Sequence, residues 1–246
     1  MDKLVYTAMS GAKETQRAMA VNNHNLANVS TTAFRADLTA FQAQAVQGAG
    51  EPSRVFATNS SVGWDSTTGS LQYTGVDLDV AVNGDGWIAV QGSDGREAYT
   101  RAGDLRIDAT GQLTNGAGHV VLGDGGPLTV PPHASVTVGR DGSVSIVPLG
   151  QQATTISTVG RIKLVNPPAG TLERGADGLF RMKDGGDAPA DAAVQVTSGS
   201  LESSNVNVAE AMTQMIELAR RYELQIKSIR TAEEDAGQST RLLQPG

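Results

Sequence analysis

The chain has 246 residues, 39% of them hydrophobic, which is enough for one large domain or two small ones with a packed core. Its 26 acidic and 19 basic residues give a formal net charge of -7, which argues against a protein that binds nucleic acid by electrostatic attraction. The absence of cysteine excludes disulfides and thiolate metal sites.

The sequence has no apolar run of the roughly 18 residues that a membrane-spanning helix needs, so an integral membrane protein is not expected. The N-terminus carries Asp2, Lys3 and Tyr6 and lacks a continuous apolar stretch with a cleavage site, so a classical secretion signal is not indicated. A chain without cysteine is indifferent to redox conditions, and both the cytoplasm and the cell exterior remain open as compartments.

The first 45 residues predict a helix, because they contain no proline and Gly11 is their only glycine. The helix is expected to end near NVSTTAF, where serine and threonine favour caps and turns, and a short second segment is expected through Phe34, Leu38 and Phe41. Mostly small residues recur along this helix at alternating spacings of four and three, which predicts a line of positions that faces another helix, called a seam here. The seam consists of Leu4, Ala8, Gly11, Thr15, Ala18, Asn22 and Asn25.

The sequence pattern changes at about residue 61 and predicts a β-domain over residues 61–201. In this region, turn sequences such as NGDG, SDG and RDG separate short runs that are apolar or alternate between apolar and polar residues. Two hairpins are predicted, one joining DLDVAV to WIAVQ across residues 83–86 and one joining SVTVG to SVSIV across residues 140–142. Count and spacing favour an irregular antiparallel sandwich or barrel. Further strands are predicted at EAYTR, DLRID, HVVLG, STVGRIKLVN, LFRMK and AVQVTSG.

The C-terminal segment, residues 202–246, predicts a second long amphipathic helix. Its outer face is charged and includes Glu217 and Arg221 at helical ion-pair spacing. Its seam is bulkier than the N-terminal one and consists of Val208, Met212, Met215, Ala219, Tyr222, Ile226 and Ile229.

The predicted fold class is therefore α+β, with a central antiparallel β-domain and terminal helices that pair in a coiled-coil-like axial domain built from residues 1–60 and 202–246. One interpretation is that these helices only complete the core of their own domain. The other is that they pack against neighbouring subunits, because contacts between unlike surfaces that fail to close generate helical filaments or tubes.

The sequence contains no dependable catalytic constellation, so an enzyme, a cofactor site and a metal site are not expected. His24, His119 and His133 are scattered, and no metalloprotease, phosphate-loop or nucleophile-elbow motif occurs. The alternative is a carbohydrate-active β-protein, or a calcium site, that uses Asp77, Asp79 and Asp85, although hairpin turns and a strand edge explain these residues equally well.

Three stretches resemble the bacterial flagellar rod and hook family, and together they cover nearly the whole chain. NNHNLANVSTTAFRAD resembles the N-terminal signature of the family and SNVNVAEAMTQMIELARRYE its C-terminal signature. GSLQYTGVDLDVAVNGDGWIAVQ and REAYTRAGDLRIDATGQLTNGAGHVV are similar to its β-domain. The residues that carry the N-terminal resemblance are Asn25, Leu26, Ala27, Asn28, Val29, Thr32 and Phe34.

The resemblance implies a structural subunit of the rod, the axle that crosses the periplasm and passes torque from motor to hook. Within the family, the opening MDKLVYTAMSGA and the single β-domain are most similar to proximal rod members, with distal rod members as the alternative. The implied partners are other proximal rod subunits, distal rod subunits and the flagellar type III export apparatus, which family members use without a cleaved signal peptide. An unrelated adhesin or fibre unit is a further alternative.

The sequence departs from the family pattern at two positions. Ala33 stands where the family signature usually has glycine, and His24 precedes the NLAN core where asparagine or alanine is more common. If position 33 requires a positive φ, alanine there costs about 1 kcal/mol relative to glycine.

Overall fold

The computed structural model describes residues 2–45, 55–152 and 154–242 and has an α+β fold in which the strands pair antiparallel. The chain divides into two compact units. Unit 1 comprises Met1–Val29, Ala36–Asp65 and Val206–Gly246, and unit 2 comprises Ser30–Arg35 and Ser66–Asn205.

Unit 1 contains two helices, α1 (Asp2–Ala27) and α2 (Val208–Leu242), and the strands β1 (Asp37–Ala45) and β2 (Val55–Trp64). β1 and β2 form an antiparallel two-stranded sheet. α2 begins after Asn207, whose side-chain oxygen accepts hydrogen bonds from the backbone N–H groups of Ala209 (3.0 Å) and Glu210 (3.3 Å). This is the N-cap that the first turn of a helix requires, because its backbone donors have no partners within the helix.

α1 ends at Ala27, directly before the NVSTTAF stretch where the helix was expected to end, but the prediction of further helix over residues 37–45 was wrong. The short second segment expected through Leu38 and Phe41 lies in strand β1. The absence of proline and glycine had favoured helix, but it does not exclude strand. The deciding factor is β2, the next strand in the chain, which supplies backbone hydrogen-bond partners to β1.

Unit 2 contains the remaining strands of the described chain, which in order are β3 (Leu71–Tyr73), β4 (Val80–Asn83), β5 (Trp87–Gln91), β6 (Glu97–Thr100), β7 (Leu105–Ile107), β8 (Leu113–Asn115), β9 (Leu122–Gly123), β10 (Gly126–Pro127), β11 (His133–Val138), β12 (Ser143–Pro148), β13 (Ser157–Arg161), β14 (Leu164–Val165), β15 (Leu172–Arg174), β16 (Phe180–Met182), β17 (Gln195–Ser198) and β18 (Ser200–Glu202). A 3-10 turn, Ala169–Thr171, precedes β15. The six further predicted strand segments each contain a strand of the structure, so these predictions are confirmed.

The strands of unit 2 surround one apolar core. The largest sheet has the order β14-β5-β6-β16-β15, and a three-stranded sheet has the order β11-β12-β13. Two pairings join distant segments, β17 with β4 and β18 with β3. The core side chains come from most of these strands and include Val82, Ile88, Val90, Leu113, Val121, Val144, Ile162, Leu164 and Val196.

Three hairpin turns of unit 2 repeat the pattern Gly-x-Asp-Gly at residues 92–95, 139–142 and 175–178. In each turn the aspartate side chain accepts a hydrogen bond from the backbone N–H two residues later, at 3.1 Å for Asp94, 3.1 Å for Asp141 and 3.2 Å for Asp177. The second glycine of each turn has a φ near +80°, which a residue with a side chain adopts only at a cost. The repeated residues therefore follow from one repeated turn geometry.

Of the two predicted hairpins, the second is confirmed and the first is wrong in its pairing. β11 pairs with β12 across the RDG turn as expected. β4 and β5 are both present, but β4 pairs with β17 while β5 pairs with β6 and β14. The guanidinium of Arg101 explains the difference, because it donates to the carbonyls of Val82 (3.1 Å), Gly84 (2.9 Å) and Gly86 (2.7 Å). The chain is thereby held in a corner between two sheets.

Candidate assembly site

The two helices of unit 1 lie against each other along faces of mostly small residues. α1 buries Ala12, Thr15, Ala18 and Asn22, and the amide nitrogen of Asn22 donates to the carbonyl of Ala211 on α2 at 2.8 Å. Gly11 is a point of close approach, since a Cβ there would lie 3.0 Å from the amide nitrogen of Gln225. Small residues at these positions thus permit the short distance between the helix backbones.

The predicted N-terminal seam lies on this side of α1. Thr15 and Ala18 are buried, and Ala8 and Gly11 are half-buried. The hydroxyl of Thr15 donates to the carbonyl of Gly11 at 2.9 Å, so its polar group has a partner within the helix. The side chain of Leu4 lies outside the described part of the structure.

The predicted C-terminal seam is divided between buried and exposed positions. Met215, Ala219, Tyr222, Ile226 and Ile229 are half-buried. Val208 and Met212 are exposed, with 42% and 53% of their surface accessible.

The residues of α2 that face α1 include a set that sequence reasoning missed. Ala211, Leu218 and Ala232 are buried, and Gln225, which packs on Gly11, shares their seven-residue spacing. This spacing keeps the four positions on one face of the helix and was the available signal. It was obscured because α2 has apolar residues on a face wider than one seam.

An open groove of about 360 Å³ lies between the helices, lined by Thr7, Ala8, Gly11, Leu224, Gln225 and Ser228. The small residues of α1 form its floor, and Leu224 is exposed at its edge.

Among the described residues, neither helix is long and apolar enough to cross a membrane.

The family-motif residue Asn25 connects the end of α1 to the start of β1. Its side-chain oxygen accepts the backbone N–H of Asp37 (2.8 Å), and its side-chain nitrogen donates to the carbonyl of the same residue (2.9 Å). His24 adds a contact of 2.9 Å between its Nδ1 and a carboxylate oxygen of Asp37. An asparagine or glutamine amide can present both an acceptor and a donor to the backbone N–H and C=O groups of one residue in this way.

The other motif residues lie around the turn that follows α1. Leu26, Asn28, Val29 and Thr32 are half-buried and Ala27 is exposed, whereas Phe34 is buried in unit 2 beneath the guanidinium of Arg174, 4.4 Å from its ring centroid. The side-chain nitrogen of Asn28 donates to the carbonyl of His24 at 2.9 Å. This bond satisfies a carbonyl of the last helical turn.

Position 33 requires the conformation that glycine favours. Ala33 has a φ of +55° and is the only residue other than glycine with a positive φ in the described chain. Its backbone N–H donates to the carbonyl of Glu202 at 2.8 Å, which fixes the turn. The departure from the family pattern at this position is therefore a strained alanine.

A buried charge cluster, absent from the sequence predictions, lies in unit 2. The carboxylate of Glu202 is 2.6 Å from a guanidinium nitrogen of Arg35 and 2.7 Å from one of Arg101, and all three side chains are almost wholly buried. The three residues lie far apart in the sequence, so no local pattern links them.

Of the aspartates considered as catalytic or calcium-binding candidates, Asp77 and Asp85 lie in turns or bends and Asp79 forms a β-bridge with Asp104. Asp77 and Asp85 are exposed, and the backbone of Asp79 is hydrogen-bonded to Val76 and Ser200. Within the described residues, no group of three acidic or histidine side chains could hold a metal ion. The pKa of Tyr99 is raised well above its usual range, mainly because the phenol is buried and also because Glu97 lies beside it.

Comparisons with known proteins identify the family. Residues 197–242 match the family model described as flagellar basal body rod FlgEFG protein C-terminal, and residues 81–146 match that of the flagellar hook protein FlgE/F/G D1 domain. Over 249 residues and 99% of both chains, the chain is 45% identical to the flagellar basal-body rod protein FlgF of Escherichia coli (strain K12) and 44% identical to that of Salmonella typhimurium. It is 32% identical to the flagellar basal-body rod protein FlgG of Bacillus subtilis (strain 168), over 95% of this chain and 96% of that protein. The chain therefore belongs to the FlgF family of flagellar basal-body rod proteins, which are structural subunits and not enzymes.

Proposed function

We propose that this rod protein works in the proximal rod, where it transmits torque as one subunit of a helical axle. Residues 1–60 and 202–246 supply the axial part, in which α1 and α2 pair in a coiled-coil-like manner. Residues 61–201 supply the outer part. The observation that carries this proposal is the amount of apolar surface that the paired helices leave exposed.

Besides Leu224, which lines the groove between α1 and α2, two sets of exposed apolar residues lie outside that groove. Val208, Met212 and Ile216 follow each other at intervals of four residues and form one stripe on α2. α1 exposes a second, separate pair. The exposed fractions are 62% for Tyr6 and 54% for Met9 on α1, and 42%, 53% and 62% for Val208, Met212 and Ile216 on α2.

Two unlike apolar faces on one subunit suit a polymer. When the α1 face of one subunit meets the α2 face of the next, each contact joins different surfaces, and such contacts build open helical assemblies unless they close into a ring. In this arrangement Thr15 and Ala18 face α2 of the same chain. Val208 and Met212 face a neighbouring subunit.

The proposed neighbours are other proximal rod subunits and distal rod subunits, and the proposed site is the rod where it crosses the periplasm. The chain is proposed to reach it through the flagellar type III export apparatus without cleavage of a signal peptide. Mass spectrometry of the subunit in purified basal bodies tests this route. We expect an N-terminal peptide that begins at Met1 or at Asp2, and a peptide that begins many residues later would contradict the proposal.

A charge in the exposed stripe of α2 tests the assembly proposal. Met212→Asp places a carboxylate where the neighbouring subunit is proposed to pack, and an unpaired charge in a dry interface is costly. Thr213→Asp is the matched control, because it adds the same charge at the next, exposed position, off the apolar stripe. Only Met212→Asp is expected to abolish motility and recovery of the subunit in basal bodies.

Thermal unfolding of both purified variants separates assembly from folding. Met212 is half exposed already, so the folded subunit loses little when it becomes charged. Normal motility of the Met212→Asp strain would contradict the proposal. A melting temperature of the Met212→Asp protein lowered by many degrees would contradict it as well.

The alternative placement is the distal rod, which the 32% identity to a FlgG protein supports less strongly than the 45% identity to a FlgF protein supports the proximal rod. Antibody labelling of basal bodies in cells that lack the distal rod protein distinguishes the two. Retention of the subunit in the truncated rod is expected, and its complete loss favours the distal position.

A further inference from the structure

Unit 2 contains a buried cluster of two positive charges and one negative charge. Glu202 on β18 and Arg35 each have 1% of their side chain exposed, and Arg101 has 3%. The two arginine contacts reach different oxygens of the carboxylate, Arg35 at Oε1 and Arg101 at Oε2. Glu202 is thus the shared counter-ion of two guanidinium groups that water cannot solvate.

Backbone hydrogen bonds extend this cluster to both ends of unit 2. The backbone N–H of Gly69 donates to Oε1 of Glu202 at 2.8 Å, and the carbonyl of Glu202 accepts the N–H of Ala33 at 2.8 Å. The carbonyl of Phe34 accepts the N–H of Asn205 at 3.2 Å. Hydrogen bonds around Glu202 therefore hold the segment 30–35 next to the segment that follows β18.

Glu202 comes late in the chain, whereas most of the groups that it binds come early. Its side chain reaches Arg101 across 101 residues and Gly69 across 133. The strand that carries it, β18, pairs with β3, the first strand of unit 2. Contacts between such distant residues require the closure of a long loop, and the entropy of that closure delays them relative to local hairpins.

We propose that Glu202 is the closing element of unit 2, the group whose pairing with Arg35 and Arg101 forms after the rest of the unit has collapsed and stabilises it. Without this carboxylate, the buried guanidinium of Arg101 keeps only backbone carbonyls as hydrogen-bond partners, and removal of one member of a buried ion pair is strongly destabilising. A chain that has not yet provided residue 202 accordingly cannot complete unit 2. The inference stands on the folded chain and does not rest on the proposed rod function.

Folding kinetics of the full chain test the proposal. Trp87 is the reporter, because it is buried in unit 2 with its ring centroid 4.5 Å from that of Phe180, and Trp64 is changed to Phe to remove the other tryptophan. Folding and unfolding rates are measured against denaturant for Glu202→Gln, which keeps the size of the side chain and removes its charge. Glu173→Gln, an exposed position on β15, is the matched control.

Glu202→Gln is expected to lower the ratio of folded to unfolded protein by about 100-fold or more. Because the contact forms late, nearly all of this change is expected in a faster unfolding rate, with the folding rate altered by less than about threefold. Glu173→Gln is expected to change neither rate by more than about threefold. A loss for Glu202→Gln that is no larger than that of the control, or one expressed mainly as slower folding, overturns the proposal.

If Glu202→Gln has no folded population in buffer, the parent, Glu202→Gln and Glu173→Gln are compared at the lowest concentration of trimethylamine N-oxide, an osmolyte that stabilises folded chains, at which Glu202→Gln folds. A large loss of stability for Glu202→Gln that appears as faster unfolding supports the proposal there. A loss no larger than that of Glu173→Gln, or one that appears mainly as slower folding, overturns it.

Discussion

The two units place their apolar side chains in opposite ways. Unit 2 buries large aliphatic residues completely, among them Ile88, Val90, Leu113, Val121 and Val144. The described apolar residues that unit 1 buries are four alanines and one leucine, namely Ala12, Ala18, Ala211, Ala232 and Leu218. Several of its larger apolar side chains, such as Ile216, face solvent. Hydrophobic burial therefore stabilises unit 2 by itself, whereas unit 1 leaves part of its apolar surface exposed.

A matched pair of isoleucine substitutions, one in each unit, tests this difference in burial most directly. Ile88→Ala leaves a cavity in a fully buried site and is expected to lower the free energy of unfolding of unit 2 by about 3–4 kcal/mol. Ile216→Ala removes the same atoms from an exposed position of α2 and is expected to change the stability of the isolated subunit by less than about 0.5 kcal/mol.

Denaturant unfolding followed through Trp87, with Trp64 changed to Phe, measures the first effect, and circular dichroism at a helix wavelength measures the second. If Ile216→Ala destabilised the isolated subunit as much as Ile88→Ala does, the exposed face of α2 would have to be buried within the monomer. The contrast between the two units would then be wrong.

The second prediction concerns the fastening of unit 1 at Asn25. Asn25→Ala removes the hydrogen bonds to both the backbone N–H and the backbone carbonyl of Asp37, which is expected to cost about 1–2 kcal/mol and to free the start of β1. Asn23→Ala is the control, because Asn23 is exposed on the same helical turn. Hydrogen exchange at the Asp37 amide is the measurement.

We expect exchange at this amide to accelerate by roughly tenfold in Asn25→Ala and to stay unchanged in Asn23→Ala. Amides in the core strands of unit 2, such as that of Val90, serve as an internal reference and should keep their protection. If exchange at the Asp37 amide accelerated equally in both variants, the side chain of Asn25 would not be what holds the start of β1 in place.

The sequence predicted the features of each unit that depend on local pattern. The β-rich composition of residues 61–201 and the β11–β12 hairpin follow from turn residues. The family pattern raised the positive φ at position 33 only as a condition, and the structure supplies its value. The strand at residues 37–45 did not follow, because its partner β2 was not itself predicted as a strand. The pairing of β4 was wrong because its true partner, β17, lies far along the chain and the hydrogen bonds of Arg101 leave no local pattern.

The candidate site was also predicted only as far as local periodicity allows. Spacings of four and three identified both helices as two-faced, but α2 has apolar residues on more than one adjacent line. Periodicity alone could not tell which line meets α1 and which stays exposed. The buried cluster of Arg35, Arg101 and Glu202 had no sequence signal, because ion pairs between distant residues leave no period.

The third prediction sharpens the comparison within unit 2, which is tightly packed yet strained at one residue. Ala33→Gly keeps the turn and removes the steric cost of a φ of +55°, so it is expected to raise the free energy of unfolding by about 1 kcal/mol. Ala176→Gly is the control, since Ala176 occupies an exposed turn without a positive φ and gains nothing from glycine. Denaturant midpoints of the two variants measure the difference. If the Ala33→Gly variant were no more stable than the parent, the strain at this position would have to be compensated elsewhere in the turn.

The smallest expected effect is the response of the unit 2 turns to acid. Hydrogen bonds from Arg96 lower the pKa of Asp94, hydrogen bonds from Ser143 lower that of Asp141, and Arg181 lowers that of Asp177. A carboxyl group whose pKa is lower in the folded than in the unfolded chain stabilises the fold above the unfolded value of about 3.9, and this contribution is lost as the pH falls through the folded pKa. Unit 2 should therefore lose stability between about pH 5 and pH 2.

Asp141→Asn should reduce the slope of stability against pH in this window, because one titrating group is gone. Asp124→Asn, an exposed position outside these turns, is the matched control. Denaturant unfolding at a series of pH values, followed through Trp87, gives the slopes. If Asp141→Asn and Asp124→Asn have the same slope, the aspartate of the repeated turn serves only as a neutral hydrogen-bond acceptor.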